Sequence, residues 1–211
     1  MKKGKLLSLL LAAVVGAGSL AMTAQAAPAE LPAQTAKTAA FVKASDWVLK
    51  DDWAIFALGR NQEEGCEKLY EDYYQGVLAL LADPAKLIPS DYIRLSLSLT
   101  AIGIDPRNIE GNDLLEKIDQ ADREKYFQMS TSSLAYALAL MERYPDSFSG
   151  TLKEDTIQKI LGAQQADGSF DYTVGGGYPD PDSTAQAMQG LMLLGDTYAS
   201  EIQAAVDWLK A

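Results

Sequence analysis

Histidine is absent from the 211 residues, and cysteine occurs once, at Cys66. Without an imidazole there can be no His-based triad, no imidazole general base and no His-containing zinc site. One thiol excludes an intrachain disulfide and leaves a buried or idle Cys66 as the expectation. Basic residues are scarce as well, 18 against 29 acidic. Three of the 18 (Lys2, Lys3, Lys5) fall in the N-terminal leader, so the rest carries 15 basic residues and a formal charge of −14. Such a surface repels phosphate backbones, which disfavours nucleic acid as a partner, and it disfavours charge-driven adhesion to an anionic membrane.

The leader has a definite pattern. Three lysines precede an apolar run from Leu6 to Leu20, and Ala24-Gln25-Ala26 supplies small residues for cleavage. Residues 1–26 therefore read as a secretory signal peptide, and the expected location is secreted, extracellular or at the cell surface. The apolar run is shorter than the ~20 residues that span a bilayer, so no membrane span is expected after cleavage. No cysteine lies near the cut to carry a lipid anchor. Residues 27–40, rich in Ala, Pro and Thr, read as a flexible leader. Residues 41–211 are long enough for one domain with its own core.

From there the apolar periodicity is helical. Ala40, Phe41, Ala44, Trp47 and Val48 recur at three- and four-residue spacing, which predicts a helix over 41–50. Further helices are expected over 53–58 with Gly59 as C-cap, over 68–82, and over 90–102 closed by Gly103. Leu95, Leu97 and Leu99 alternate with Ser96 and Ser98, a strand-like pattern, but Ile93, Leu97 and Ala101 keep a four-residue spacing. A helix buried on several sides accommodates both. The pattern continues with helices over 112–118, 129–144, 151–164, 183–194 and from Ser200 onward. Thr151 with Glu154 and Ser200 with Gln203 have capping-box spacing. Small-residue apolar helices alternate with amphipathic charged ones. The ends of the first kind, at Gly59, Gly103, Met141 and Gly195, lie 44, 38 and 54 residues apart. Such periods mark helical-pair repeats in two layers, the small-residue helices inside. Open solenoid and closed α/α ring both fit.

Gln164-Gln165-Ala166-Asp167-Gly168-Ser169-Phe170 resembles the Gln-x-x-Asp-Gly-Ser/Gly-Trp/Phe signature of the prenyltransferase and squalene-cyclase repeat. Asp180-Pro181-Asp182-Ser183-Thr184-Ala185 looks like the Asp-x-Asp-x-Thr-Ala start of the following inner helix, and Ala205-Val206-Asp207-Trp208-Leu209 is similar to the outer helix that leads into a next signature. Upstream, Asp52–Arg60 and Leu99–Pro106 look like bacterial secreted or surface members. The resemblance spans roughly residues 41–211 and is most specific over 157–195. It implies an all-α fold, an α/α toroid with inner helices around a cavity. The chain holds fewer helical pairs than a closed ring of that family implies, so a truncated or partial ring, or one closed by another chain, with an apolar edge near the C-terminus, is expected.

The same resemblance implies roles. Gln164, Asp167, Gly168 and Phe170 would lock the repeat turn: Gly tolerates positive φ, the Gln amide reaches free backbone groups, and Phe covers both. Asp182, with Asp180, matches the general acid of cyclases that start by protonation, but Ser183 stands where their motif has another Asp. The alternative is that Asp182 or Ser183 caps a helix beginning near Thr184. Zinc-dependent prenyl transfer would need Asp, Cys and His together, and cobalamin carriage, another use of this architecture, finds no histidine to ligate cobalt. No cofactor and no metal is expected. Asp167, Asp171, Asp180 and Asp182 lack a regular calcium-ligand spacing. Gly175-Gly176-Gly177, with no Lys-Ser/Thr behind it, reads as a connector rather than a phosphate loop. Trp47, Trp53, Tyr73, Tyr74 and Tyr92 belong to the core or to a sugar- or ring-binding surface. Acidic residues between Asp113 and Glu124 read as a solvated face. The leading expectation is an exported, non-catalytic binding or scaffolding module for an unidentified small-molecule or cell-surface ligand. An isoprenoid enzyme using Asp182 is the alternative.

Overall fold

The computed structural model describes residues 31–211. The residues expected to form a signal peptide, and the start of the expected leader, lie outside the described residues. The fold is all-α. Among the described residues ten α-helices follow one another: α1 (Leu31–Lys43), α2 (Asp52–Arg60), α3 (Glu67–Leu81), α4 (Pro89–Ala101), α5 (Leu114–Asp119), α6 (Arg123–Phe127), α7 (Thr131–Arg143), α8 (Leu152–Leu161), α9 (Pro181–Met192) and α10 (Ala199–Lys210). Short 3-10 turns occupy Val48–Lys50, Pro84–Lys86, Pro145–Ser147 and Gly195–Tyr198. Among the described residues there is no β-strand, only isolated bridges.

Local chemistry explains most boundaries and several departures from expectation. α1 covers much of the stretch expected to be a flexible leader. Its alanines are the best helix formers, and Pro32 sits in the first turn, where a missing N–H costs nothing. The helix expected over 41–50 stops instead at Lys43, and Ser45 Oγ turns back to donate to the Phe41 carbonyl at 2.8 Å. Gly59 does not end α2, which runs on to Arg60. The glycine serves packing: a Cβ there would stand 2.8 Å from the Ala101 carbonyl carbon and oxygen. Gly103, at φ +88°, does terminate α4 as expected.

The acidic stretch is more than a wetted face. Asp113 Oδ1 accepts from the Leu115 and Glu116 amides at 2.9 and 3.0 Å, and Asp122 Oδ1 from the Lys125 amide at 3.0 Å. They start α5 and the unforeseen α6. Neither expected capping box forms. Thr151 donates to Asp155 Oδ2 at 2.7 Å rather than capping α8, and Ser200 donates to Glu201 at 2.7 Å.

The chain divides into two compact units, one of residues up to 87 with 94–112, the other of residues 88–93 with 113–211. In the first, the Leu/Ser alternation resolves as helix: Leu95, Ser96, Leu97, Ser98 and Leu99 are all buried. Ser98 Oγ lies 2.7 Å from the Asp52 carbonyl and 3.0 Å from that of Arg94, both within reach of its hydroxyl. Asp52 is the hub of this unit. Its Oδ1 accepts from the buried Tyr73 hydroxyl at 2.7 Å, and its Oδ2 lies 3.5 Å from Arg94 Nη1. One carboxylate thus joins α2, α3 and α4. Cys66 is buried.

In the second unit α7 packs against α8 and α9, and α9 against α10. α7 and α9 come close because Gly190 faces Ala135, where a Cβ would sit 3.0 Å from the alanine methyl. Burial differs most between α7 and α10, while α8, with Leu152, Thr156, Ile157 and Ile160 buried, is hidden about as much as α9. α7 buries Thr131, Leu134, Ala135, Ala137, Leu138, Leu140 and Met141, whereas α10 buries only Ile202 and Ala205. α10 leaves Leu209 exposed toward the C-terminus. In the first unit α2, expected to be of the buried kind, hides just Ile55 and Leu58.

Burial, with the Asp52 charge and hydrogen bond behind it, raises the pKa of Tyr73 well above the ordinary tyrosine value. Burial pushes Tyr126, whose hydroxyl lies 3.0 Å from Thr156 Oγ1, up to about 12. A raised folded-state pKa favours the neutral form in the fold, so this stability is whole below the unfolded value near ~10. It declines as the pH climbs above that value. Stability measured by urea melts should fall between pH ~10 and ~12, and Tyr73→Phe should flatten that fall. At neutral pH the same substitution should cost about 1–3 kcal/mol by removing the buried donor to Asp52.

Candidate functional site

The chain between α8 and α9 makes a tight turn and then a hairpin, both inside the second unit. In the turn, the Gln165 amide donates to the Ser169 carbonyl at 2.8 Å and the Gly168 amide to the Gln165 carbonyl at 3.0 Å. Gln164 Nε2 donates to the Gly168 carbonyl at 3.2 Å and to the Glu201 carbonyl at 2.9 Å, joining the turn to α10. Gly168 has φ +94°, and a Cβ there would collide with the Ala204 carbonyl. Position 168 therefore needs glycine twice over, for conformation and for clearance. Asp167 Oδ1 accepts from Ser169 Oγ at 2.6 Å and from the Ser169 amide at 3.0 Å. These bonds, with a smaller contribution from Trp208, hold the Asp167 pKa below its ordinary value. Phe170 is fully buried, and its amide donates to Thr184 Oγ1 at 2.9 Å.

Beyond the turn, Asp171 and Pro179 face each other across an isolated bridge, and the Tyr172 amide donates to the Tyr178 carbonyl at 3.1 Å. Gly175-Gly176-Gly177 is the tip of this hairpin, with φ +74° at Gly175 and +68° at Gly177. Asp171 holds it from beneath. Fully buried, it accepts at Oδ2 from Gln165 Nε2 at 2.7 Å and from the Gly177 amide at 3.0 Å. Its Oδ1 has no hydrogen-bond partner. The Thr131 hydroxyl donates to the Asp171 carbonyl at 2.7 Å, and the Thr131 amide to the Tyr172 carbonyl at 2.8 Å. The hairpin is thereby fastened to the start of α7.

Next to this fastening lies a groove of about 380 Å³. Ile88, Pro89 and Ser90 line it from the start of α4, Lys125, Gln128 and Met129 from α6 and the segment after it. Ser130 and Ser133 contribute from the start of α7, Tyr172 and Thr173 from the hairpin. The groove is open to solvent rather than enclosed, and its volume lies at the lower end of the range of about 300–1,000 Å³ usual for small-ligand sites. No carboxylate is among these residues, although the chain has 29 acidic residues. Lys125 is the one charged group. Ile88 is 60 % exposed and Tyr172 57 %, while Tyr178, across the hairpin, is 79 % exposed.

Gln164, Asp167, Gly168 and Phe170 come together in the turn. Asp180 is the N-cap of α9, its Oδ1 accepting from the Ser183 amide at 2.9 Å. The expectation that Asp182 or Ser183 would cap that helix is corrected: the helix begins earlier, at Pro181, whose missing N–H suits the first position. Ser183 is buried, and Asp182 is exposed in the first turn. Its charge adds to burial in raising the pKa of the half-buried Tyr136. Among the described residues no three carboxylates or thiols gather into a metal-holding group. Of the aromatic candidates, Tyr73 and Tyr92 are buried, Tyr74 is half-buried, and Trp47 and Trp53 are exposed in the first unit. Tyr172 and Tyr178 were missed, although their signal was present: two tyrosines flanking three glycines is a display hairpin as readily as a connector. The chain matches no protein-family model, no curated protein and no solved structure.

Two substitutions separate the roles. Gly168→Ala should destabilise the protein by about 2–4 kcal/mol, combining positive-φ strain with a backbone clash. Asp182→Asn should leave the melting temperature within a degree or two, as expected of an exposed side chain. Thermal unfolding followed by circular dichroism reads both. Asp171→Ala, which strands the Gly177 amide and the Gln165 side chain, should cost about 2–3 kcal/mol and speed hydrogen exchange at Gly177.

Proposed function

We propose that the protein is an exported, non-catalytic binding module built on prenyltransferase-like α/α helical repeats, with the groove beside the Tyr172 hairpin as its ligand site. The observation that carries this reading is the groove: a ligand-sized concavity, free of carboxylates in an acidic chain, walled by two helix starts and a braced aromatic hairpin. Export is supported by the pattern of the first 26 residues. The helical-repeat assignment is supported by the spacing of the small-residue helices and by the turn signature. No helix among the described residues is long and apolar enough to cross a membrane.

A binding role is favoured over isoprenoid chemistry because of where Asp182 stands. An acid able to protonate an alkene must be desolvated and held neutral by its surroundings. Asp182 is exposed, and its neighbour Asp180 is engaged in capping α9. Purified protein should therefore give no turnover of a polyprenyl substrate, and Asp182→Asn should behave identically. A rate above background that vanishes in the variant would replace the binding reading with the enzymatic one. For the groove itself, a fragment screen by amide NMR should shift resonances at Ser130, Ser133, Tyr172 and Thr173 as one cluster. Ser133→Trp, which fills the groove, should abolish those shifts while the fold persists.

A further inference from the structure

We infer that the groove ligand is an uncharged saccharide chain, stacked on Tyr172 and hydrogen-bonded to the uncharged polar side chains that line the groove. The inference rests on the groove being the binding site and adds the chemical class of its occupant. Sugars present two demands at once. Their C–H faces need flat apolar surface, and their hydroxyls need partners that both donate and accept.

The groove meets both. Ser90 and Thr173 hydroxyls donate and accept, whereas a carboxylate would only accept. Ser133 Oγ, 3.0 Å from Ser130 Oγ, and the Gln128 amide, whose Nε2 donates to Glu124 at 3.3 Å, offer their remaining donor and acceptor capacity. Ser130 is less available, since its Oγ accepts from the Ser133 amide at 3.1 Å in capping α7. The apolar share comes from Tyr172, Ile88 and Met129 along the wall. Tyr178, exposed and tied to Tyr172 by the backbone bond across the hairpin, does not line the groove. Tyrosine suits such a face because it offers a large rigid surface at low entropy cost.

Charge selects against other occupants. A nucleotide or polyphosphate would need several cations, and only Lys125 lines the groove. A cationic peptide would need carboxylates, and none lines it. Asp91, in the first turn of α4, is already engaged in accepting from the Ile88 amide at 2.9 Å. The aromatic wall is also braced before any ligand arrives. Asp171 takes the Gly177 amide, and Thr131 bonds the backbone at Asp171 and Tyr172. A braced wall lowers the ordering cost of binding, which matters for ligands whose individual contacts are weak.

The test uses the full chain after removal of its leader, titrated calorimetrically with chitohexaose, cellohexaose and maltohexaose. At least one of these neutral hexasaccharides should bind. Tyr172→Ala should weaken it about tenfold or more, and Tyr172→Phe should retain it within about twofold, because stacking needs the ring and not the hydroxyl. Equal melting temperatures of the two variants would exclude unfolding as the cause of the loss. Affinity should be the same at low and high salt, as for an uncharged ligand. No binding of any of the three, binding indifferent to Tyr172→Ala, or affinity that collapses with salt would each overturn the inference. If fragments still shift the Ser133 and Tyr172 resonances while all three sugars fail, the groove stands and only the ligand class is wrong. If Ser133→Trp leaves sugar binding intact, the sugar sits elsewhere and this inference falls, while the fragment shifts still decide the groove reading.

Discussion

The second unit depends on one side-chain amide. Gln164 reaches out of the turn after α8 and donates to the Glu201 carbonyl, inside the first turn of α10. Carbonyls at a helix start have later amides as partners, so this bond is an added clasp between two segments 37 residues apart. Around it the turn closes tightly enough that position 168 must be glycine, since the Ala204 carbonyl fills the space a side chain would take. Asp167 and Ser169 then satisfy each other, and Phe170 seals the layer beneath. The turn thus welds α8 to α10 while delivering the chain to the hairpin.

The hairpin that follows is fastened at two points. Thr131, at the start of α7, fastens its backbone, and Asp171 fastens its tip. A fully buried carboxylate with one unpartnered oxygen is costly in a low-dielectric interior. It is retained where two neutral donors on its other oxygen hold a glycine-rich tip that has few contacts of its own. The result is a backbone-anchored hairpin that places Tyr172 beside a groove, built from a segment whose composition alone suggests mobility. In the first unit Asp52 does comparable service, joining three helices through Tyr73, Arg94 and its own carbonyl.

Much of the helical framework was legible. Amphipathic periodicity located α3, α4, α7 and α9 to within two residues, since burial of one face is a requirement that sequence spacing expresses directly. The Leu/Ser alternation in α4 was interpretable for the same reason, because serine can hide its hydroxyl against the preceding turn. Caps were less legible. Thr151 and Ser200 have the right spacing but bond neighbouring carboxylates instead, while Asp113, Asp122 and Asp180, which resemble ordinary surface acids, do the capping. Side-chain oxygens choose among several nearby amides, and local sequence does not rank those choices.

Already present in the order of residues were the all-α class, the lack of histidine and of an intrachain disulfide, and the glycine-bearing turn at 164–170. Each follows from residue type or short-range spacing, which the chain carries into any conformation. Tertiary structure decided the rest. It left Asp182 in solvent, spent Gly59 on helix packing, buried Tyr73 against Asp52, and turned a triple glycine into the tip of a braced hairpin. Those outcomes depend on which distant backbone groups come within about 3 Å of one another, a property of the packed chain that no window of neighbouring residues contains.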